Sequence, residues 1–202
     1  MLFRSFQSDV NDPVNVRVST VGRIQPHCEV KIVDDDGNTC AVGETGEFWA
    51  RGYLVMKGYW QDEAATRASI EGGWMKSGDL ATIDAQGYCR IVGRKKDMVI
   101  RGGENIYPAE LEDFLTSQKG IREAHVFGIP DEKFGEQLVA WIVAEKGANI
   151  DETSIKELCR KSLAYYKVPA IVRFVDEVPL TATGKPQKFR MREMMMSETT
   201  AS

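Results

Sequence analysis

The chain has 202 residues and contains 26 Lys and Arg against 30 Asp and Glu, so its formal net charge is −4. This slight excess of acidic residues argues against a nucleic-acid-binding protein that depends on bulk positive charge. Hydrophobic residues make up 43% and charged residues 28% of the chain. That composition is typical of a soluble globular protein, and the length predicts one large domain or two small ones.

The length of the apolar runs and the spacing of the cysteines indicate in which cellular compartment the protein is located. The longest uninterrupted apolar run, residues 138–144, is far shorter than the roughly 18 residues that a spanning helix requires, so we expect no membrane span. The N-terminus has no apolar stretch like that of a secretory signal. The four cysteines are widely spaced without a CxxC pair, and the two histidines lie far apart. We therefore expect a reducing, cytoplasmic location, no zinc site, and thiols that are buried or inert.

Up to about Gly93, segments of strand character alternate with turn residues. Residues 1 to about 20 are polar and predicted to be irregular, and residues 62–67 predict one or two helical turns that Gly72 and Gly73 would end. Strands are predicted at residues 28–33, 46–52, 74–83 and 88–92. Recurrent short strands with little helix favour a small antiparallel β subdomain.

Three consecutive aspartates, Asp34 to Asp36, precede Gly37 and Asn38. A calcium loop would need the D-x-D-x-D-G spacing with a distal glutamate, so this segment predicts a solvated turn instead.

The sequence pattern changes after four consecutive charged residues, Arg94-Lys95-Lys96-Asp97, and we place a domain boundary there. A brief strand at residues 98–100 and a turn at Gly102-Gly103 follow. Pro108 then opens a helix whose apolar residues at 111, 114 and 115 share one face, which predicts packing against a sheet.

The sheet candidates of this second half are residues 124–129, 137–144 and 171–175. The middle segment is apolar at consecutive positions, which predicts a strand covered on both faces. Asp151 can cap a second helix, with residues 155, 158, 159 and 163 toward the core and Pro169 as its end. The methionines after Lys188 favour a short terminal helix, docked through its Met face and frayed at its end, over a copper site.

Three stretches carry the chemistry. In Lys76-Ser77-Gly78-Asp79-Leu80, a glycine presents Asp79 at a strand end, where a carboxylate could accept hydrogen bonds from the two hydroxyls of a ribose. The stretch from Ile91 to Asn105 combines cationic residues with a double glycine, which could engage phosphates or hydroxyls. Pro179 to Pro186 would hold Lys185 on a stiffened loop. Taken singly, each stretch also fits a plain alternative: a turn aspartate, a solvated linker and a surface turn.

Together, these stretches resemble the adenylate-forming superfamily of acyl-CoA synthetases, luciferases and peptide-synthetase adenylation domains. The resemblance covers nearly the whole chain, and its motifs occur in the family's order. They are Thr20-Val21-Gly22-Arg23 with the following strand, Gly46-Glu47 through Gly58-Tyr59-Trp60, Ser77-Gly78-Asp79-Leu80, Gly93-Arg94 to Pro108, and Thr183-Gly184-Lys185.

The resemblance implies roles for individual residues. Asp79 matches the aspartate that binds the ribose hydroxyls of ATP, and Arg94 matches an arginine at the same sugar. Lys96 stands at the hinge between a large N-terminal region and a small mobile C-terminal domain. Gly102-Gly103 match the loop that lines the pantetheine tunnel after the domain has turned, and Lys185 matches the lysine that assists adenylation. The implied cofactors are ATP, CoA and magnesium.

The family's phosphate loop and the residues that frame magnesium and adenine have no counterpart in this sequence. The resemblance therefore implies the C-terminal portion of an acyl-CoA synthetase with an α+β fold. Residues 1–95 would be the remnant of the large N-terminal region, a small antiparallel β subdomain, and residues 96–202 the compact mobile α+β domain. We expect this portion to be inactive alone, with the magnesium site in the region that it lacks. Exposed strand edges of the remnant could allow self-association.

The segment from Gly103 to Pro108 and the Thr-Gly-Lys-Pro-Gln-Lys-Phe ending resemble CoA ligases more than luciferase. The expected activity is thus ATP-dependent ligation of a carboxylic acid, a fatty or related acid, to CoA through an acyl-adenylate. One alternative is an adenylation-domain fragment of a peptide synthetase, although no carrier domain follows before Ser202. The other is a non-catalytic module that binds nucleotide, CoA or a partner chain.

Overall fold

The computed structural model describes residues 5–200, with side chains described for residues 5–198. The chain divides into two compact units, the first ending at Lys96 and the second beginning at Asp97. Among the described residues, no helix is long and apolar enough to cross a membrane.

The first unit is built mainly from short antiparallel strands. Its elements are β1 (Phe6–Gln7), α1 (Val14–Ser19), β2 (Arg23–Ile24), β3 (Cys28–Val33), β4 (Gly46–Gly52), α2 (Glu63–Ser69), β5 (Ile70–Glu71), β6 (Trp74–Ile83) and β7 (Cys89–Arg94). Strands β3, β4, β6 and β5 lie in that order in one sheet, β7 also pairs with β6, and β1 pairs with β2 separately. All of these pairs are antiparallel, as the alternating pattern predicted.

A small apolar cluster fills one face of the main sheet of the first unit. The rings of Phe6 and Phe48 meet edge to face with centroids 5.7 Å apart, and Ile32, Ala81 and Cys89 complete the buried contacts. The Asp34 carboxylate accepts hydrogen bonds from the backbone of Asp36 and Asn38, so the aspartate segment forms the predicted turn.

Two expectations for the first unit are wrong. Within the stretch predicted to be irregular, residues 6–7 form β1 and residues 14–19 form α1; residues 1–4 of that stretch lie outside the described residues. The reason is tertiary, because β1 gains its partner from β2 and buries Phe6. Helix α2 is capped by Asp62, which accepts from the Ala65 amide at 2.9 Å, and ends where Ile70 becomes extended. Gly72 and Gly73 instead form the turn between β5 and β6.

The second unit contains a mixed sheet between helices. Its elements are β8 (Val99–Arg101), β9 (Glu104–Ile106), α3 (Pro108–Thr116), β10 (Ile121–Asp131), β11 (Gly135–Ala144), α4 (Glu152–Ser162), β12 (Ile171–Phe174) and α5 (Lys188–Thr200). Strand β11 pairs antiparallel with β10 and β8, and parallel with β12. This architecture confirms the predicted α+β class.

Both faces of β11 are buried, as its continuous apolar run predicted. On one face, Leu138, Ala140 and Ile142 pack against α3 and α4. On the other face, Val139, Trp141 and Val143 belong to a cluster with Met191 and Met195 of α5. The predicted docking is confirmed for Met191 and Met195, whereas Met194 and Met196 are exposed. The last residues of the expected frayed end, 201–202, lie outside the described residues.

The end of α4 differs from the expectation. Asp151 caps the helix in a reciprocal pair of contacts with Ser154, but the helix ends at Ser162 because Leu163 takes an extended conformation. A 3-10 turn at Tyr165–Lys167 follows, so Pro169 lies beyond the true end of the helix.

Candidate functional site

Asp79 and Arg94 face each other on neighbouring strands of the first unit. They are directly paired in the register of β6 and β7, and the Arg94 Nε lies 2.6 Å from the Asp79 Oδ1. The Asp79 side chain is 8% exposed and that of Arg94 57% exposed. A buried acceptor and an exposed donor thus stand side by side. Arg94 ends β7, but Asp79 lies within β6, so the expected position at a strand end is wrong.

An interruption in the sheet presents Asp79. Residues 47 and 49 of β4 pair with residues 80 and 76 of β6, so the segment between Lys76 and Leu80 bulges out of the ladder. Gly78 takes φ +71° there, a conformation that glycine adopts without strain.

Side chains replace the missing ladder contacts in this bulge. The Gly78 amide donates to the Glu47 Oε1 at 3.1 Å. The Ser77 hydroxyl donates to the Phe48 carbonyl at 2.6 Å and accepts from the Asp79 amide at 3.0 Å. These bonds hold the backbone that carries Asp79 in one conformation.

The charged segment after Arg94 forms a single 3-10 turn, Lys95–Asp97. The Lys95 Nζ lies 2.9 Å from the Asp35 Oδ1 and 3.5 Å from the Glu47 Oε2. The hydrogen bond to Asp35, with help from Glu47, raises the pKa of Lys95, so this side chain is charged at neutral pH. Lys96 itself is exposed.

Lys185 lies on an exposed loop that its own backbone closes. Thr181 donates its amide to the Lys185 carbonyl at 2.8 Å, and its hydroxyl accepts from the Lys185 amide at 3.0 Å. The Gly184 amide donates to the Thr181 carbonyl at 2.9 Å, and the Gln187 amide to the Pro179 carbonyl at 2.8 Å. The loop therefore holds the lysine on a defined support while leaving its side chain in solvent.

Gly102 and Gly103 form the tight turn between β8 and β9, at φ +59° and +87°. The Gly102 amide donates to the Phe134 carbonyl at 2.8 Å. A Cβ placed on Gly103 would meet no atom within 4 Å, so the glycine leaves the turn open on that side. The two glycines thus adopt the positive φ angles that this turn requires. Because they have no side chains, they also leave the backbone of the turn exposed.

Two cysteine thiols are buried, and the described side chains form no metal-binding cluster. Burial raises the pKa of the Cys89 thiol to about 12, and burial also raises the pKa of Cys159. No group of three or more His, Cys, Asp or Glu side chains within residues 5–198 is arranged to hold a metal ion.

The structure joins some of the predicted site residues directly. Asp79 and Arg94 form one pair in the first unit, and Lys96 follows two residues after that pair. Lys185 and the Gly102-Gly103 turn lie on separate loops of the second unit.

Two family models match the sequence. The model of the AMP-binding enzyme matches residues 3–60, and that of the AMP-binding enzyme C-terminal domain matches residues 110–185. Together they cover more than half of the chain. The chain belongs to the AMP-binding enzyme family.

Curated relatives of this family are similar over nearly the whole chain. The Bacillus subtilis protein YngI, provisionally named an acyl-CoA synthetase, is 48% identical over 191 residues, which are 93% of this chain and 34% of that protein. The mitochondrial medium-chain acyl-CoA ligase ACSF2 of Rattus norvegicus is 43% identical over 193 residues, 95% of this chain and 31% of the ligase. The chain thus spans about a third of the length of these relatives.

Solved structures of AMP-binding enzymes share the fold. ATP-bound MatB from Rhodopseudomonas palustris gives a TM-score of 0.83 at 37% identity, with 87% of this chain and 35% of that chain covered. The o-succinylbenzoate CoA synthetase MenE from Bacillus subtilis, in complex with the acyl-adenylate OSB-AMP, gives a TM-score of 0.81 at 36% identity. That match covers 87% of this chain and 36% of that chain.

Sequence reasoning about this AMP-binding chain missed the part that Glu47 plays. Its carboxylate contacts both the Gly78 amide and the Lys95 ammonium, and so links the Asp79 bulge to the charged segment after Arg94. In the sequence, Glu47 stands out only as part of the Gly46-Glu47 motif. An acidic residue in a strand gives no signal by itself, because the bulge that it fills exists only in the paired sheet.

Proposed function

We propose that this chain is the C-terminal portion of an ATP-dependent carboxylic acid:CoA ligase that acts through an acyl-adenylate. The observation that carries the proposal is the arrangement of the Asp79–Arg94 pair, held by the bulge in β6, in a chain that also presents Lys185 on a closed and exposed loop. The names of its relatives, which are acyl-CoA synthetases and ligases, support the same reaction class.

Asp79 and Arg94 would hold the ribose of ATP. A carboxylate accepts hydrogen bonds and a guanidinium only donates them, so the pair offers complementary partners to a sugar diol. The Arg94 guanidinium, 2.6 Å from the buried Asp79 carboxylate, places a positive charge beside this acceptor. The chemistry of this pair therefore fits the sugar of a nucleotide.

Lys185 would stabilise the charge that develops when a carboxylate attacks the α-phosphate of ATP. Two anionic groups must approach each other in that step, and a preorganised ammonium lowers the electrostatic cost. Acyl-AMP and pyrophosphate are the products. The exposed position of Lys185 on a hydrogen-bonded loop suits a group that must reach a substrate.

The Gly102-Gly103 turn would line the passage for the pantetheine arm of CoA in the second half-reaction. A Cβ on Gly103 would meet no atom within 4 Å, which would leave room beside the backbone for a narrow chain. The thiol then attacks the carbonyl carbon of the acyl-adenylate and AMP leaves. We assign Lys96 as the hinge about which the domain turns between the two half-reactions, with residues 1–95 and 96–202 on its two sides.

The reaction would need magnesium to balance the charge on the phosphates. We propose that the N-terminal region of the full-length enzyme holds this ion. We further propose a fatty acid as the substrate, a cytoplasmic location, and self-association of the isolated chain through exposed strand edges of the first unit.

The test measures acid-dependent exchange between ATP and pyrophosphate. The 202-residue chain is assayed alone and as a chimera that carries the N-terminal two thirds of YngI. We expect background exchange from the chain alone, because a partial site loses most of the positioning on which catalysis depends. The chimera should show exchange with fatty acids and, with CoA added, release AMP.

Two outcomes would count against this proposal. Strong exchange by the chain alone would contradict its reading as one part of a larger site. Binding of AMP or CoA by the chain, together with a folded but inactive chimera, would favour a non-catalytic binding module.

A further inference from the structure

Helix α5 begins three residues after Lys185. Among the described residues, three ion pairs attach it to other elements of the second unit, two near its start and a third, between Arg173 of β12 and Glu198, near its end. The Lys188 Nζ lies 2.7 Å from the Glu112 Oε1 on α3. One turn later, the Arg192 Nη2 lies 2.8 Å from the Glu136 Oε1 at the start of β11. The two cations stand four residues apart and therefore share one face of the helix.

Each of these carboxylates also accepts a backbone hydrogen bond. Glu112 accepts from the Val126 amide of β10 at 2.7 Å through the same Oε1 that pairs with Lys188. Glu136 accepts from the Ile100 amide of β8 at 2.9 Å through its Oε2. Hydrogen bonds to the sheet thus hold both carboxylates in place independently of their ion pairs with α5.

The ion pairs are partly sheltered from solvent. The side chains of Lys188 and Glu112 are 24% and 20% exposed, and those of Arg192 and Glu136 are 41% and 23% exposed. Charge-assisted hydrogen bonds with anchored acceptors are directional. The apolar packing of Met191 and Met195 on the same helix is not directional, because the flexible methionine side chain fills space without fixing a register.

We propose that Glu112 and Glu136 are positioning residues for Lys185, acting through the placement of α5. They fix where the helix begins, and the loop of residues 179–187 is hydrogen-bonded onto that beginning through the Gln187 amide and side chain. The proposal rests on the adenylation role proposed above for Lys185.

Glu136 has a second connection. Ile100, whose amide donates to Glu136, lies two residues before Gly102. The placement of α5 and the start of the proposed thiol passage therefore share one carboxylate, whereas the Glu112 carboxylate contacts Lys188 of α5 and Val126 of β10. This difference predicts that the two carboxylates affect the two half-reactions differently.

The first test needs no activity. Amide hydrogen exchange of the 202-residue chain is followed in the segment of residues 179–191 for the wild type and for Glu112→Gln, which removes the charge at nearly constant size. We expect exchange about fivefold faster in the variant, the effect of losing one partly exposed ion pair.

A matched control lies on α4. The Glu152 Oε1 pairs with the Lys156 Nζ at 2.7 Å and accepts from the Val172 amide at 3.4 Å. Glu152 thus also combines one ion pair with one backbone hydrogen bond, but its ion pair stays within α4 and neither partner lies on α5. Glu152→Gln should leave exchange in residues 179–191 unchanged. If Glu112→Gln fails to fold, Lys188→Gln breaks the same pair from the other side.

The second test uses the YngI chimera. Glu112→Gln should lower kcat for adenylation about fivefold with little change in KM for ATP, and should leave conversion of a supplied acyl-adenylate with CoA unchanged. Glu136→Gln should slow both half-reactions. The Glu152→Gln chimera should match the parent chimera.

The outcomes separate this inference from the proposed function. Unchanged exchange in both Glu112→Gln and Lys188→Gln, or an equal change in Glu152→Gln, would overturn the positioning role. So would an equal loss of both half-reactions in Glu112→Gln. Faster exchange in the variants together with an inactive chimera would support the attachment of the loop through α5 and defeat only the proposed function.

Discussion

The two five-stranded sheets of this protein cover their faces in different ways. The sheet of the second unit has apolar clusters on both faces, one beneath α3 and α4 and one beneath α5. The main sheet of the first unit has a single small cluster that includes Phe48. Elsewhere in that sheet, cations lie over the indole rings of Trp49 and Trp74.

This difference in apolar burial predicts that the two units differ in stability, and each unit carries part of the proposed site. Burial of apolar area is the main source of folding free energy, so the sheet covered twice should be the sturdier of the two. The proposed nucleotide pair lies in the first unit, which we expect to be the less stable, on a bulge held by side chains. The proposed adenylation lysine lies in the second unit, which we expect to be the more stable, on a loop tied to a docked helix.

The largest expected effect is that of Lys185→Ala in the YngI chimera. Loss of one preorganised donor at a developing charge costs about 2.7 to 4 kcal/mol, or roughly a hundredfold to a thousandfold in rate. Adenylation should fall by that factor, whereas conversion of a supplied acyl-adenylate with CoA should be nearly unaffected. Equal loss in both half-reactions, or loss in neither, would contradict the assignment of Lys185.

Limited proteolysis should distinguish the two units next. We expect a resistant fragment that begins near Lys96, because the second unit closes its own core at about 100 residues, an ordinary size for a domain. Mass spectrometry of the fragments identifies the cleaved bonds. First cleavage within residues 110–180 would show that the boundary or the order of stability is wrong.

The substitution Leu115→Ala tests how much the core beneath α3 contributes to the free energy of unfolding. Leu115 is fully buried, and truncation of such a side chain costs about 2 to 5 kcal/mol of unfolding free energy. Urea denaturation of the chain checks the loss. Leu180→Ala is the matched control, because Leu180 is 52% exposed and should change stability by no more than about 0.5 kcal/mol.

The smallest expected effect concerns the aromatic face of the first unit. The Lys31 Nζ lies 4.6 Å from the Trp49 ring centre and 4.7 Å from that of Trp74. Lys31→Met keeps most of the apolar stem and removes the charge, so it should cost about 0.5 to 1 kcal/mol in urea denaturation. The same substitution at the exposed Lys57 should be neutral, and a neutral Lys31→Met would mean that the charge contributes nothing to this face.

Local pattern was enough for much of the fold. Short segments of strand character between turn residues predicted β3 and β4, Pro108 and Asp151 marked the starts of α3 and α4, and the apolar run at residues 138–144 predicted a strand buried on both faces. These signals work because strand period, helix capping and burial act within a few residues of the chain. The wording of the motifs also indicated the AMP-binding family, which the family models confirm. The roles of Asp79, Arg94, Lys96, Gly102, Gly103 and Lys185 remain predictions.

Only the tertiary structure decided the features that depend on distant partners. Strand β1 forms because β2 pairs with it and Phe6 meets Phe48. Glu47 acts on Gly78 and Lys95, 31 and 48 residues away, and Glu136 joins Ile100 to Arg192. No local pattern specifies such contacts, because a charged side chain in a strand or helix looks like a solvated one until folding brings its partner within hydrogen-bond distance.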